Sequence, residues 1–349
     1  MKVVVAMSGG IDSSVAAALL KEQGYEVIGI TMQLQPLSQY ADAQKVAHML
    51  SIPHYVVDFR DVFARFVIAD FCREYSLGRT PNPCIRCNQH IKFDALLNRA
   101  KELGAEMIAT GHYARIRNDH GRYLLKKSTD RHKDQTYFLY TLTQEQLQHS
   151  LFPVGGLTKE EVRRIAEKLE IPIADKPGSQ EICFIPDNNY ARFLQEYTDI
   201  TPKPGPILDR QGNILGEHHG ITSYTIGQRK GLGIASREPL YVTAINPEKN
   251  TITIGGKSEV YASELIASEM NWISIEKPDG PIIIKARIRY RHRESEAKVT
   301  PTSDNEVMVK FTEPQMAPTP GQAVIFYDGD TVVGGGTISK VGNAGDLIQ

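Results

Sequence analysis

The sequence predicts an α/β protein: a parallel-sheet domain over residues 1–200, a small central domain over 201–263 and a C-terminal β-barrel over 264–349. Three observations predict it. An apolar strand, a glycine turn and a helix follow one another within residues 2–24. Strand and helix patterns then alternate as far as Gly111, the signature of βαβ units and a parallel sheet. Past the proline-rich linker at 201–206 the pattern changes to short strands separated by turns.

The elements follow in order. Lys2-Val3-Val4-Val5-Ala6-Met7 is an apolar run of the kind that forms a strand covered on both faces. Ser8-Gly9-Gly10-Ile11-Asp12-Ser13-Ser14 is a turn of small residues, and 15–23 reads as a helix that Gly24 stops. Residues 25–32 form a second strand, 41–50 a helix and 53–58 a third strand. A helix at 61–75 has Asp61 near its cap, another at 92–103 ends at Gly104, and 106–111 is a fourth strand. Helical patterns recur at 144–150, 159–169 and 189–197. Beyond the linker, turn signals at 209–213 and 246–250 separate short strands, and 282–290, 306–311 and 323–327 read as strands of a small barrel or sandwich. Gly255-Gly256-Lys257-Ser258 imitates a phosphate loop, but no helix pattern follows it.

The first turn carries the chemistry. A strand, a glycine turn and a helix N-terminus make a phosphate cradle, because the glycines admit close approach of an anion and the first-turn N–H groups are free to donate. The turn has no lysine, so it is not the G-x-x-x-x-G-K-[ST] loop. Asp12 cannot neutralise a phosphate itself, but it can hold a Mg²⁺ that does. In a parallel sheet, ligands sit at the carboxyl ends of the strands. Ala6, Met7, Ser8, Gly9, Gly10, Ile11, Asp12, Ser13, Met32 and Gly111 all fall at such ends and form the candidate nucleotide-binding set. The string S-G-G-x-D-S after a strand resembles the PP-loop ATP pyrophosphatases, which cleave ATP between the α and β phosphates and adenylate an oxygen of a second substrate.

Composition sets the outer bounds. A chain of 349 residues with 41% apolar and 23% charged residues has the make-up of a globular protein of two or three domains. No apolar run reaches the roughly 18 residues of a membrane span, and the opening residues lack a secretory pattern, so a cytoplasmic protein with no membrane partner is expected. A net charge of −1 leaves a nucleic-acid partner open, since the distribution of charge matters more than its sum. Four cysteines in such a chain point to reduced thiols with chemistry or metal to serve.

Cys84 and Cys87 lie in Thr80-Pro81-Asn82-Pro83-Cys84-Ile85-Arg86-Cys87-Asn88, read as a proline-rich loop between two helices. Cys183 lies far along the chain in Ile182-Cys183-Phe184-Ile185, and Cys72 reads as a core residue beside Phe66, Val67 and Phe71. A lone C-x-x-C fits a redox pair, half a zinc site or part of an iron–sulfur site. Arg86 is the nearby cation expected to favour a thiolate.

Seven strings occur in order at 8–14, 80–88, 111–115, 133–139, 152–155, 182–185 and 227–234: S-G-G-I-D-S-S, T-P-N-P-x-x-x-C-N, G-H-Y-A-R, K-D-Q-T-Y-F-L, F-P-V-G, I-C-F-I and G-Q-R-K-G-L-G-I. Together they resemble the tRNA-specific 2-thiouridylases over essentially the whole chain. The resemblance implies ATP-dependent 2-thiolation of the wobble uridine, position 34, of tRNA. It implies adenylation of the C2 oxygen, a persulfide on Cys183 and a partner thiol at Cys87. Cys87 either attacks the substrate-bound persulfide or frees sulfide from Cys183. The two must then come within disulfide reach, with Cα atoms about 5–6 Å apart. The family often has Asp in the place of Cys84, and a thiol is a poorer acid at neutral pH. Cys84, Cys87 and Cys183 also make a set able to ligate a 4Fe–4S cluster that presents sulfide, which stands as the alternative to the persulfide. The cosubstrate is ATP with Mg²⁺, and the partners are tRNA and a sulfur-donor protein or sulfide source.

On the tRNA side the resemblance assigns Asn82, Pro83 and Cys84 to the target base and His112, Lys133, Asp134, Gln135, Arg289, Tyr290 and Gln322 to contacts with the nucleic acid. By position alone His112 is equally a satisfied strand-end histidine. Read as a strand, Arg287-Ile288-Arg289-Tyr290-Arg291-His292-Arg293 puts its arginines on one face at steps of roughly 6–7 Å, close to phosphate spacing. The basic 227–233 loop reads as a flap over the site. Two other classes fit parts of the pattern: another adenylating synthetase or amidotransferase on the same scaffold, and a metal- or cluster-bearing RNA-binding module.

Overall fold

The computed structural model describes residues 1–36, 40–171, 182–187, 189–198 and 202–342. Residues 179–181 before Cys183 and Thr201 of the linker lie outside them.

Strands β1 (Lys2–Ala6), β2 (Glu26–Gln33), β3 (His54–Asp58) and β4 (Met107–Ala109) are parallel. The hairpin β5 (Ala114–Asp119) and β6 (Arg122–Lys127) follows, and then β7 (Ser150–Leu151) pairs with β4. The sheet order is β3-β2-β1-β4-β7. Val3, Val4 and Val5 are each 0% exposed, so β1 is covered on both faces, as its unbroken apolar run requires. Chain direction across the sheet reverses between β1 and β4, which opens a crevice at their carboxyl ends.

Helices cover the two faces. On one lie α1 (Ile11–Glu22) and α2 (Ala41–Met49), packed with Val3, Val5, Val46 and Val162. On the other lie α3, residues 60–76, and α4, residues 83–102, around Phe63, Phe71, Ile91 and Phe93. Both have a π-wound middle, at Ala64–Ile68 and Asn88–Ala95. The expected loop at 80–88 is corrected here, because Pro83–Cys87 is already helical. Asn82 caps it, its Oδ1 accepting from the Cys84 N–H at 3.2 Å, and Pro83 enters the first turn where no N–H is needed. Cys84 and Cys87 therefore ride on a helix. Further helices are α5 (Gln144–Gln148), α6 (Lys159–Lys168) and α7 (Tyr190–Tyr197). No described helix is long and apolar enough to cross a membrane.

The central unit has β8 (Gly205–Leu208), β9 (Ile214–His218), β10 (Tyr241–Asn246) and β11 (Thr251–Gly255), in the order β10-β11-β8-β9 over Ile207, Tyr224, Val242 and Ile252. The 227–233 loop is pinned to it: Gly227 N donates to Val242 O at 2.8 Å, Val242 N donates to Gln228 O at 2.9 Å, and Leu232 is buried.

The last sheet contains β12 (Tyr261–Trp272), β13 (Ile282–Arg287), β14 (Ser295–Ser303), β15 (Glu306–Met316), β16 (Ala323–Asp328) and β17 (Thr331–Gly342). β12 pairs with both β15 and β17, which closes these strands into a barrel. The β5–β6 hairpin extends the same sheet through Lys126 and Thr331. Ala323, Ile325 and Tyr327 of the barrel share one core with Tyr137, Tyr140 and the α3–α4 layer.

The expected arginine strand is also corrected. β13 stops at Arg287, and His292 N donates to Arg289 O at 3.0 Å in a turn. Alternation fails because Arg287 turns inward to ion-pair with Glu294 at 2.6 Å and Asp134 at 3.4 Å. Glu294 thus closes the turn. Arg291 and Arg293 remain exposed.

Candidate functional site

The 8–13 turn sits in the β1/β4 crevice. Gly9 has φ +74°, which favours glycine, and Ser13 Oγ accepts from Ser8 N at 3.2 Å while donating to Gly10 O at 3.0 Å. The first-turn N–H groups of Ile11, Asp12 and Ser13 have no intrahelical acceptor. Ala6 and Met7 are buried and reach the crevice only through their backbone, and half-buried Met32 ends β2 against the α3–α4 core. Gly111 closes the other wall. A Cβ there would lie 2.6 Å from Ser13 N and 2.7 Å from the Asp12 carbonyl carbon, so only glycine lets the chain after β4 meet the first turn of α1. This cradle fits a triphosphate, and Asp12 is the carboxylate that would hold its Mg²⁺.

Asp12 is not alone. Its Oδ1 accepts from Lys159 Nζ at 2.6 Å and from Tyr113 Oη at 2.7 Å. Lys159 opens α6, where Thr158 and Glu161 form a capping box. Tyr113 is held in turn by Gln135, whose Oε1 accepts from Tyr113 N at 2.8 Å. Sequence reading missed Lys159 and Tyr113; the Thr158-x-x-Glu161 pattern marks the helix start, but nothing local marks its target.

His112 follows Gly111 and is buried. Its Nδ1 is hydrogen-bonded to Thr110 Oγ1 at 2.6 Å, and its ring lies 5.8 Å from Phe93 of α4 and 5.9 Å from Phe152. Burial, helped by the charge of Lys92, holds its pKa well below the ordinary 6.5, so the ring is neutral at pH 7. The strand that walls the cradle thereby reaches the cysteine helix.

The sequence-distant thiols come together. Cys87 is buried, with Cys183 and Cys84 close enough that their charges would act on it, and Cys183 feels Cys84 in the same way. Phe184 packs edge-on against Phe63 at 5.5 Å and Phe71 at 5.4 Å, which seats the Cys183 turn on α3. Burial pushes Cys87 up to about 12 and raises Cys84 and Cys183 as well, although both of these reach solvent. The cation that opposes the rise at each thiol is Lys92. Arg86, expected in that role, turns away to Asp70 at 3.3 Å and Glu269 of the barrel at 2.7 Å. Among the described residues no group of three or more His, Cys, Asp or Glu side chains has metal-holding geometry, so the three thiols do not form a ligand set as they stand. Cys72 is buried in the core.

The expected tRNA-contact residues divide into two kinds. Lys133 is exposed. Asp134 is buried, its carboxylate accepting from Thr136 Oγ1 at 2.9 Å and pairing with Arg287, so its side chain shapes the segment from inside. Gln135 serves the cradle through Tyr113. Gln322 Nε2 donates to Thr80 O at 2.7 Å, tying the barrel to the stretch before Asn82 and Pro83. Arg289 donates to Met316 O at 3.0 Å, and Tyr290 packs on Phe138 at 4.5 Å.

Three segments of the chain match known families. Residues 1–187 match the family described as the tRNA methyl transferase HUP domain, 191–256 the tRNA methyl transferase PRC-barrel domain and 262–338 the aminomethyltransferase beta-barrel domain. The tRNA-specific 2-thiouridylase MnmA of Acetivibrio thermocellus is 54% identical over 354 residues, covering 97% of this chain and 99% of that protein. The protein of that name from Halothermothrix orenii has the same identity and coverage. The one from Geotalea uraniireducens is 52% identical over 366 residues, covering 100% of this chain and 97% of that protein.

Proposed function

The chain belongs to the family of tRNA-specific 2-thiouridylases, and from that premise we propose that it is an ATP-dependent sulfurtransferase acting on C2 of the wobble uridine of tRNA. One observation carries the residue assignment. The glycine cradle and the thiols share a wall, because Gly111 touches Asp12 and Ser13 while His112 beside it packs on the helix of Cys84 and Cys87.

The reaction then follows from what these groups can do. Ser8 to Ser13 bind the phosphates, and a Mg²⁺ held by Asp12 would add positive charge there. The uridine C2 oxygen attacks the α-phosphorus, pyrophosphate leaves with the electrons of the broken P–O bond, and the N3 proton is released. AMP is now a good leaving group where oxygen was a poor one. The terminal sulfur of a Cys183 persulfide attacks C2, and the C2–O bond breaks toward AMP. The Cys87 thiol attacks the Cys183 sulfur and gives up its proton to the departing base. The S–S bond breaks toward the base, which regains a proton as 2-thiouridine, and a Cys87–Cys183 disulfide remains for an external dithiol to reduce. A persulfide-bearing donor protein recharges Cys183. Covalent carriage divides one hard displacement into easier ones.

The test is a reaction of the purified protein with ATP, Mg²⁺, a persulfide donor and unmodified tRNA, read by mass spectrometry of the nucleosides. Wild type makes 2-thiouridine; Cys87→Ser and Cys183→Ser release pyrophosphate but make none. Undiminished 2-thiouridine from either variant overturns these thiol roles.

A further inference from the structure

The sulfur-transfer step sets a problem the residues named so far do not solve. A persulfide is an anion, and so is the adenylyl phosphate on the base it must attack. Bringing like charges together is costly without a cation between them. Arg86 is committed to Asp70 and Glu269, and Lys159 is paired with Asp12 on the far side of Gly111.

Among the described residues, Lys92 is the cation that acts on all three thiols. It is half-buried in the π-wound stretch Asn88–Ala95 of α4. A π turn closes i to i+5, so Lys92 returns over Cys87, five residues earlier, where an ordinary α-turn would carry it round the helix. Its neighbour Phe93 packs on His112. Among the described lysines and arginines that are not fully exposed, only Lys92 and Arg289 lack a carboxylate partner, and Arg289 is satisfied by Met316 O. A half-buried ammonium left unpaired beside three thiols is poised for an anion that arrives during the reaction.

We propose that Lys92 is a catalytic residue of sulfur transfer, its ammonium lying between the anionic sulfur and the adenylyl phosphate and offsetting the charge of both as the C–S bond forms and the C2–O bond breaks toward AMP. The proposal rests on the 2-thiolation reading above. It assigns Lys92 to the second half-reaction and leaves adenylation to the cradle.

The field at the thiols is measurable without turnover. In a Cys72→Ser background, Cys84 and Cys183 are modified with an anionic and a cationic methanethiosulfonate of equal size. Both reagents consume the same thiolate, so its ionised fraction cancels in the ratio of rates. Lys92→Met lowers the anionic-to-cationic ratio about tenfold, and Lys92→Arg preserves it. With ATP and unmodified tRNA, Lys92→Met keeps pyrophosphate release near wild type while 2-thiouridine formation falls about a hundredfold, with partial rescue in Lys92→Arg. Lys92→Gln repeats the comparison with a polar side chain should the methionine perturb folding. An unchanged reagent ratio, or an altered ratio with undiminished sulfur transfer, overturns the proposal. Failure of wild type to thiolate tRNA overturns the underlying reading instead, and the reagent ratio still reports on the lysine.

Discussion

Lys159 Nζ donates to Asp12 Oδ1 at 2.6 Å, so the acidic residue of the glycine turn is paired with a lysine from 147 residues further along the chain. The turn lacks the lysine that ordinary phosphate loops carry, and the fold brings one to the same place on the first turn of α6. Binding Mg²⁺ at Asp12 would free that ammonium for a phosphate oxygen a few ångströms away.

Lys159→Met should therefore weaken the nucleotide step more than the tRNA step. The expected loss in pyrophosphate release at limiting ATP is about tenfold to a hundredfold, the range for a charge clamp on a transferring phosphoryl group. Affinity for tRNA, read by filter binding, should stay within about twofold, because the ammonium is turned to Asp12 in the cradle and is not a solvent-facing phosphate contact. Equal losses in both would show that Lys159 is a structural brace only.

Gly111→Ala is expected to be severe for a steric reason. The new Cβ would meet backbone atoms of Ser13 and Asp12 at 2.6 and 2.7 Å, and neither can rotate out of the way. Overpacking of this kind costs about 1–3 kcal/mol, visible as a lowered melting temperature. The first turn of α1 must move away from residue 111 to admit the methyl, so ATP should lose its protection against thermal unfolding as well.

What was legible in the sequence was local. The cradle residues are contiguous, and the strand before them is apolar throughout, so Ser8 to Ser13 could be read in place. Partners supplied from a distance were not legible. Lys159 reaches Asp12 through topology, and no periodicity in residues 88–95 announces the π turn that carries the Lys92 charge near the thiols. Prolines misled at 80–88, where Asn82 and Pro83 start a helix instead of a loop. Alternation misled at 287–293, where Arg287 prefers the buried Asp134 carboxylate to a solvent-facing stripe. The distant thiols were grouped through the order of the motifs; spacing alone cannot join residue 183 to residue 87.

Thiol reactivity should follow burial. Cys84 and Cys183 reach solvent whereas Cys87 is buried and pushed up to about 12. Iodoacetamide at pH 8 should label Cys84 and Cys183 first, with Cys87 slower by about tenfold or more since only its thiolate reacts. The Cys87 rate should keep rising through pH 10 without a plateau. Peptide mass spectrometry of timed samples checks the order, and early labelling of Cys87 would contradict it.

The last prediction concerns the joint between the cysteine helix and the barrel. Arg86 of α4 donates to Glu269 of β12 at 2.7 Å, and Thr337 Oγ1 donates to the same carboxylate at 2.9 Å. Burial pushes the Glu269 pKa up, but the charge of Arg86 and the hydrogen bonds from Thr337 and Arg86 outweigh it and hold the group below the ordinary 4.5. A carboxyl group with a depressed folded value contributes stability that is fully present above the unfolded value. That contribution is lost as pH falls below about 4.5 and through the folded value. Wild type should accordingly lose melting temperature between pH 5 and the acid limit faster than Glu269→Gln, which has no carboxylate to protonate there. With the side chain half exposed, the difference at neutral pH should be about 1 kcal/mol or less. Since the same arginine sits between Cys84 and Cys87, Glu269→Gln should also slow sulfur transfer while sparing pyrophosphate release. Parallel acid-melting curves for the two proteins would contradict the pairing.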